Sequence, residues 1–164
     1  MQDFTPGPET ARAFRDALGR FATGVCVVTC ATPDGPLGIT VNSFASVSLD
    51  PPLVLWSPAR ASRRFDAFEG ADHFAIHVMG EGQFDLSHRF ARDGCAFEGL
   101  DWSAGPGGAP LLPGCLARFA CARHAVHEGG DHAIVVGRVL SAAFRDGAPL
   151  LFNAGAYGRF TSHD

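Results

Sequence analysis

The sequence predicts a mainly β domain, a small antiparallel barrel flanked by two or three short helices. Three observations carry that reading. Short apolar, β-branched runs recur along the chain, among them residues 25–30, 53–56 and 74–79. Turn signals separate them, with 20 Gly and 11 Pro among 164 residues. Strands do not alternate with long helical patterns and no Gly-x-Gly-x-x-Gly occurs, which argues against a doubly wound nucleotide-binding sheet.

Taken in order, the elements are these. Phe14, Leu18 and Phe21 recur at helical spacing, so residues 14–21 are expected to form an amphipathic helix that opens the domain. Residues 25–30 read as a strand, Pro33-Asp34-Gly35-Pro36 as a turn, and 38–44 as the return strand of that hairpin. Residues 53–56, bounded by Pro52 and Pro58, form another strand. Residues 61–68 read as a short helix with Ser62 near its start, 74–79 as a strand, and 83–90 as a further helix. The Gly- and Pro-rich residues 94–113 are expected to be a long surface excursion. Strands near 117–127 and 133–144 flank the tight turn Glu128-Gly129-Gly130-Asp131-His132, and 149–152 and 157–160 are short closing segments. The first eight residues are expected to be loose. No repeat or linker divides the chain, so residues 1–164 read as one domain with its core at about 14–160.

Composition excludes several chemistries. The formal charge of −4 argues against a nucleic-acid footprint. All 13 cationic residues are Arg, which removes Schiff-base chemistry, lysine general bases and the Gly-Lys-Ser/Thr phosphate loop. No long apolar run and no charged-then-apolar leader occurs, so a cytoplasmic protein without a membrane segment is expected. Cys26, Cys30, Cys95, Cys115 and Cys121 form an odd set with no Cys-x-x-Cys, and read as free, mostly buried thiols. His124-x-x-His127 with Asp131 and His132 offers metal-ligand types, but residues three apart on a strand face opposite ways, so no metal site is expected.

The stretch from Gly38 to Pro52 is the most informative. A short apolar strand runs into Thr40-Val41-Asn42-Ser43, avoids charge, and alternates again before Pro51-Pro52. That composition suits a flat, uncharged, hydrogen-bond-rich ring such as a flavin isoalloxazine, and it equally suits a polar strand end that satisfies a turn. Ser57, and Ser62 with Arg63 at an expected helix start, are anion-binding types, with Arg64 able to help; capping by Ser62 and solvated arginines explain them as well. Arg89-Phe90 places a cation at a helix C-terminus and an aromatic in the core. His132 sits at a turn-to-strand junction, suited to donating a hydrogen bond to a second substrate or to a structural role. Trp56 is expected to fill the core, the alternative being to narrow a ligand slot.

These residues resemble a known family over about 14–160. Phe14-Arg15 with the 18–25 run Leu-Gly-Arg-Phe-Ala-Thr-Gly-Val, the 40–52 stretch, Ser57 with Ser62-Arg63, and Arg89-Phe90-Ala91 come first. Phe97-Glu98-Gly99-Leu100-Asp101-Trp102, Gly129-Gly130-Asp131-His132, and Pro149-Leu150-Leu151-Phe152 with Tyr157-Gly158 follow. In this order they resemble the flavin reductase-like, FMN-binding split-barrel proteins, which include the reductase components of two-component flavin-dependent monooxygenases.

The resemblance implies a six-stranded antiparallel Greek-key split barrel, usually a homodimer, with flavin near the subunit interface. It implies hydride transfer from NADH or NADPH to FMN, with FAD possible as the flavin, and delivery of reduced flavin to a partner oxygenase. Thr40, Val41, Asn42 and Ser43 would hold the ring and ribityl chain. Ser57, Ser62 and Arg63 would address the phosphate, with Ala61, Arg89 and Phe90 nearby. His132 would orient the nicotinamide, and Tyr157 is a weaker candidate on the same side. Arg63 and Arg64 stand where many relatives carry a second small hydroxyl residue, which implies that phosphate is held more by charge here. A non-enzymatic flavin carrier of the same fold is the alternative, and a pyridoxamine-phosphate oxidase relative a third reading, disfavoured because no dedicated basic cluster serves a second phosphate.

Overall fold

Strand β2 (Cys26–Thr32) shows why the apolar run around it has no alternation: it is buried on both faces. In the computed structural model, which describes Met1 and residues 3–162, Cys26, Val28 and Cys30 enter one core with Trp56, Phe68, Phe74 and Ile76. Val25 and Val27, facing the other way, enter a second core with Met79, Phe90, Phe97 and Leu112. The remaining elements are α1 (Ala11–Leu18), β1 (Thr23–Gly24), β3 (Gly35–Val41), β4 (Ala45–Leu49), β5 (Pro52–Trp56), α2 (Phe65–Gly70), β6 (His73–Val78) and α3 (Phe84–Arg92). They continue with β7 (Ser103–Ala104), β8 (Pro110–Leu111), β9 (Ala117–Gly129), β10 (His132–Phe144), β11 (Leu150–Asn153) and β12 (Ala156–Arg159).

Seven strands form one sheet in the order β3-β2-β6-β9-β10-β5-β4, every neighbouring pair antiparallel. Its two edge strands, β3 and β4, are consecutive in the chain and joined only by residues 42–44. Four virtual bonds of about 3.8 Å span at most ~15 Å, so the sheet must curl until its edges nearly meet. The first core fills the inside of that curl. The expected six-stranded closed barrel is therefore corrected to seven strands whose ladder stays open between β3 and β4. The expected strand at 38–44 ends at Val41 because the next residues bond across the gap. Ser43 Oγ accepts from the Ser57 amide (2.9 Å) and donates to the Ser57 carbonyl (3.2 Å), leading the chain to the opposite edge.

Three other expectations change. The helix expected at 61–68 begins only at Phe65, since 59–64 forms successive turns in which the Ser62 amide donates to the Ala59 carbonyl (3.0 Å) and the Phe65 amide to the Ser62 carbonyl (3.0 Å). The excursion at 94–113 is not a surface loop: Phe97, Ala109 and Leu112 are buried, and Thr29 Oγ1 donates to the Pro110 carbonyl. The helix expected at 14–21 is α1 at Ala11–Leu18 and buries nothing; Phe14 and Leu18 on it are 43% and 60% exposed, and Phe21, past its end, is 79% exposed, so these apolar side chains face outward. Trp56 fills the core, its ring edge-on to Phe68 at 5.3 Å. No two of the five cysteines are bonded, and burial pushes the thiols of Cys26, Cys30 and Cys121 up to about 12, which leaves them unreactive.

Helix α3 and the small sheet β1-β11-β12 cover the outer face of β2 and place the end of α3 beside β3. The long hairpin β9–β10 turns through Gly130-Asp131, with Gly130 at φ 74°, and slips register next to Gly137. A Cβ on Gly137 would stand 2.5 Å from Phe74 Cζ and 3.0 Å from Cys121 Cβ, both in the core. Gly137→Ala is expected to cost about 2 kcal/mol by overpacking, read as a lower urea midpoint; an unchanged midpoint would show that the hairpin yields.

Candidate active site

A groove of about 670 Å³ opens between β3, the 61–64 turns and the end of α3. Leu37, Ile39 and Thr40 form its floor, Ser62, Arg63 and Arg64 one wall, and residues 91–95 the other. Arg64 holds the three together. Its Nη1 donates to the carbonyls of Phe90 (2.6 Å) and Gly38 (3.1 Å), and Nη2 reaches the Ala91 carbonyl at 3.5 Å. Two of these acceptors lie in the last turn of α3, where the helix dipole favours a cation. The Gly38 amide donates to the Gly94 carbonyl (2.8 Å), closing the floor against the far wall. Position 38 must be glycine because β3 lies directly on the buried Phe90 ring, 2.5 Å from where a Cβ would stand.

Past Thr40 and Ala91 the groove narrows into an apolar slot of about 160 Å³, lined also by Val25, Val41, Asn42, Phe152 and Tyr157. Tyr157 meets Phe152 edge-on at 5.2 Å and Phe84 at 4.9 Å, so its ring is held by packing on two sides. The Asn42 amide is exposed and, among the described residues, makes no hydrogen bond. The Arg63 guanidinium likewise has no partner among the described residues. One end of the cavity is thus a free cation beside a hydroxyl; the other is an apolar slot with an uncommitted amide.

The structure brings Thr40, Val41, Asn42, Ala61, Ser62, Arg63 and Tyr157 into this continuous cavity. Thr40 contributes no free proton, because its hydroxyl already donates to the Ser87 carbonyl (2.6 Å). Ser62 does not cap α2; its Oγ accepts from the Arg64 amide (3.2 Å), so no helix end supports an anion there. Ser43 and Ser57 line neither part and bond to each other. Phe90 is fully buried under β3, and Arg89 turns away to the Glu98 carbonyl (2.5 Å). His132 opens β10 beside the 59–62 turns, bridged to Ala59, but lines neither part of the cavity. Its Nδ1 lies 2.8 Å from the Asp131 carboxylate, and that hydrogen bond, then the imidazole charge, holds the Asp131 carboxyl below its usual range. Sequence reasoning missed the wall at 91–95 because it ended the helix at Phe90; Gly94, two residues past the true end at Arg92, is the available stop signal.

A cationic groove leading into an aromatic-walled apolar slot on a curled β-sheet is a site for a phosphate-bearing, planar-ring cofactor. The flavin reductase like domain matches residues 18–161, and the chain belongs to that family. It is 62% identical over 158 residues to the FMN reductase (NADH) SmoA of Agrobacterium fabrum, covering 96% of this chain and 91% of that protein. It is 43% identical over 148 residues to the flavin-dependent monooxygenase reductase subunit HsaB of Rhodococcus jostii, covering 89% of this chain and 76% of that protein. Among solved structures, the NADH:FAD oxidoreductase SgcE6 of Streptomyces globisporus superposes with a TM-score of 0.90 at 35% identity, covering 99% of this chain and 100% of that one. The residues here fit a flavin: the free Arg63 guanidinium and Ser62 match a phosphate, the slot matches a planar ring, and the Asn42 amide matches its polar edge.

Proposed function

We propose that this chain is an NAD(P)H-dependent flavin reductase that transfers hydride from nicotinamide to FMN or FAD and supplies reduced flavin to a partner monooxygenase. The observation that carries it is the unbroken path from the uncommitted Arg63 to the uncommitted Asn42. Bound flavin supplies the hydride acceptor; this chain's residues supply position. Arg63 and Ser62 hold the phosphate, with Ala61 leaving room beside them. Thr40, its hydroxyl spent on α3, sets the floor between groove and slot. Val41 gives the ring an apolar face, Asn42 bonds its polar edge, and Tyr157 with Phe152 closes the far side. Ser43 and Ser57 act through each other by fixing the 42–44 connection. Arg89 and Phe90 act by anchoring the wall.

His132 is the residue assigned to the nicotinamide side, with Asp131 fixing its ring through Nδ1. His132→Ala is expected to raise the KM for NADH about tenfold while the FMN Kd moves less than twofold. Steady-state kinetics beside a flavin fluorescence titration check this; unchanged kinetics would remove the role. A homodimer is the assembly that the outward apolar stripe of Phe14, Leu18 and Phe21 supports. The unpaired cysteines support a cytoplasmic setting, and the two cores sharing β2 support one domain over residues 1–164.

The test is anaerobic absorbance near 450 nm after mixing protein, FMN and NADH, repeated with FAD and with NADPH. Bleaching of more than one flavin equivalent establishes a reductase that releases its product. Flavin binding without bleaching would leave a carrier and overturn the proposal.

A further inference from the structure

The ladder between β5 and β10 does not stop where β5 ends at Trp56. Past it, the Ala133 amide donates to the Pro58 carbonyl (3.1 Å), His132 bridges Ala59, and the Arg60 amide donates to the Asp131 carbonyl (2.8 Å). Ala61 and Ser62, which follow directly, begin the wall of the phosphate groove. Arg60 closes on the tip with its side chain as well. Its Nη2 pairs with the Glu128 carboxylate at 2.6 Å, and its guanidinium stands over the ring of the buried Phe65, 5.1 Å from the centroid. Among the described residues, every hydrogen bond that residues 128–131 make outside their own hairpin goes to Arg60. Gly129 and Gly130 carry no side chain that could hold the tip otherwise. Asp131 in turn holds the His132 ring through Nδ1 at 2.8 Å.

Resting on the phosphate and nicotinamide-side assignments above, we propose that Arg60 is a positioning residue that clamps the hairpin tip onto the 58–62 segment, so that filling the phosphate groove fixes His132 from a distance. Neither Arg60 nor His132 lines the cavity, so the effect has to travel through the chain. The Ser62 amide is bonded to the Ala59 carbonyl, and Ala59 and Arg60 are bonded to His132 and Asp131. A phosphate that orders Ser62 and Arg63 therefore orders the tip. Coupling of this kind is reciprocal, so FMN and the pyridine nucleotide are expected to tighten each other by one factor. With Arg60 38% and Glu128 86% exposed, their ion pair adds little to folding, and the clamp acts on the position of the tip.

The experiment follows amide hydrogen exchange at residues 129–133 of the full chain with and without saturating FMN. The FMN Kd without nucleotide and the steady-state KM and kcat for NADH are measured beside it. FMN is expected to slow exchange at the tip severalfold in the native protein. Arg60→Met keeps a long apolar stem over Phe65 and removes the cation. It should lose most of that protection and raise the KM for NADH about fivefold, the scale of one exposed charged pair, while kcat and the FMN Kd move less than twofold. Arg60→Lys keeps a cation for Glu128 and should recover part of both losses. Added to His132→Ala, Arg60→Met should raise the KM no further, because Arg60 acts through that ring. Tip exchange that ignores FMN in the native protein would overturn the proposal, as would an Arg60→Met effect that adds in full to His132→Ala. Unchanged kinetics in His132→Ala with the stated exchange pattern would remove the nicotinamide role of His132 and leave the clamp standing.

Discussion

Replacing Arg64 by alanine is expected to raise the FMN Kd about a hundredfold and to lower stability by about 3 kcal/mol. The guanidinium reaches carbonyls on β3 and at the end of α3, two of these bonds part-buried. Hydrogen bonds from a charged donor contribute ~1.5–3 kcal/mol each, and leaving a part-buried carbonyl without its partner adds a desolvation cost of ~1–3 kcal/mol. The walls at 62–64 and 91–95 then lose their common tie, so the phosphate end opens even though Arg63 remains. Arg63→Ala separates the two effects. Since Arg63 has no partner among the described residues, this change should weaken FMN about tenfold and leave the urea midpoint in place. Arg64→Lys is expected to recover only part of the loss, because an ammonium on a flexible stem cannot meet acceptors on two elements in a fixed fork. A fluorescence titration of FMN with urea unfolding of the same variants decides the matter. Arg64→Ala binding FMN like the native protein would show that the groove walls hold without the tie.

That contrast also shows which parts of the molecule the sequence exposes. Val25 to Cys30 announced a strand because both its faces enter cores, and its one polar residue, Thr29, is buried as well and donates to the Pro110 carbonyl. Thr40 to Ser43 stood out because polar, uncharged residues stand where a barrel strand should stay apolar; Thr40, Val41 and Asn42 line the cavity, whereas Ser43 bonds to Ser57. Arg64 was barely legible. Its partners lie 26 and 27 residues away as main-chain carbonyls, which every residue possesses and no side-chain pattern reports. The seventh strand was hidden for a similar reason. Residues 38–49 alternate almost continuously, and only the bond between Ser43 and Ser57 tells the chain to leave one edge and join the other. Phe14, Leu18 and Phe21 have the spacing of a core-facing helix, and their outward orientation depends on what else covers them, which spacing does not encode. His132 was legible as a turn residue, and the flavin resemblance singled it out, but its distance from the cavity was not.

Lowering the pH from 7 to about 4 is expected to remove about 3 kcal/mol of stability through one residue, His77. It is completely buried in β6, yet both ring nitrogens are satisfied. The Leu112 amide can only donate, so Nε2 accepts from it at 3.0 Å, and the proton must sit on Nδ1, which donates to the Val27 carbonyl at 3.0 Å. Neutral imidazole therefore pins β2, β6 and the 94–113 segment together. Protonating Nε2 would set two donors against each other in a dry core. Burial, against the opposing pull of the Val27 hydrogen bond and with help from the nearby Arg118 charge, brings the His77 pKa down from the ordinary 6.5 to about 4. In the unfolded chain the same imidazole binds its proton near pH 6.5, so the unfolded state holds more protons between those values. Stability conferred by the neutral ring is thus complete above pH 6.5 and drains away as pH falls towards 4. His77→Gln keeps a donor and an acceptor but cannot titrate. It should be less stable than the native protein at neutral pH and show a much flatter decline below it, so that the two urea midpoints converge on acidification. The Val27 carbonyl belongs to the strand paired with Thr40, so the pin also steadies the groove floor. FMN affinity is expected to decline in both proteins as the flavin phosphate takes up its second proton at about pH 6, and to fall further towards pH 4 in the native protein alone. Parallel pH curves for the two proteins would move the acid sensitivity away from His77, onto the exposed carboxylates.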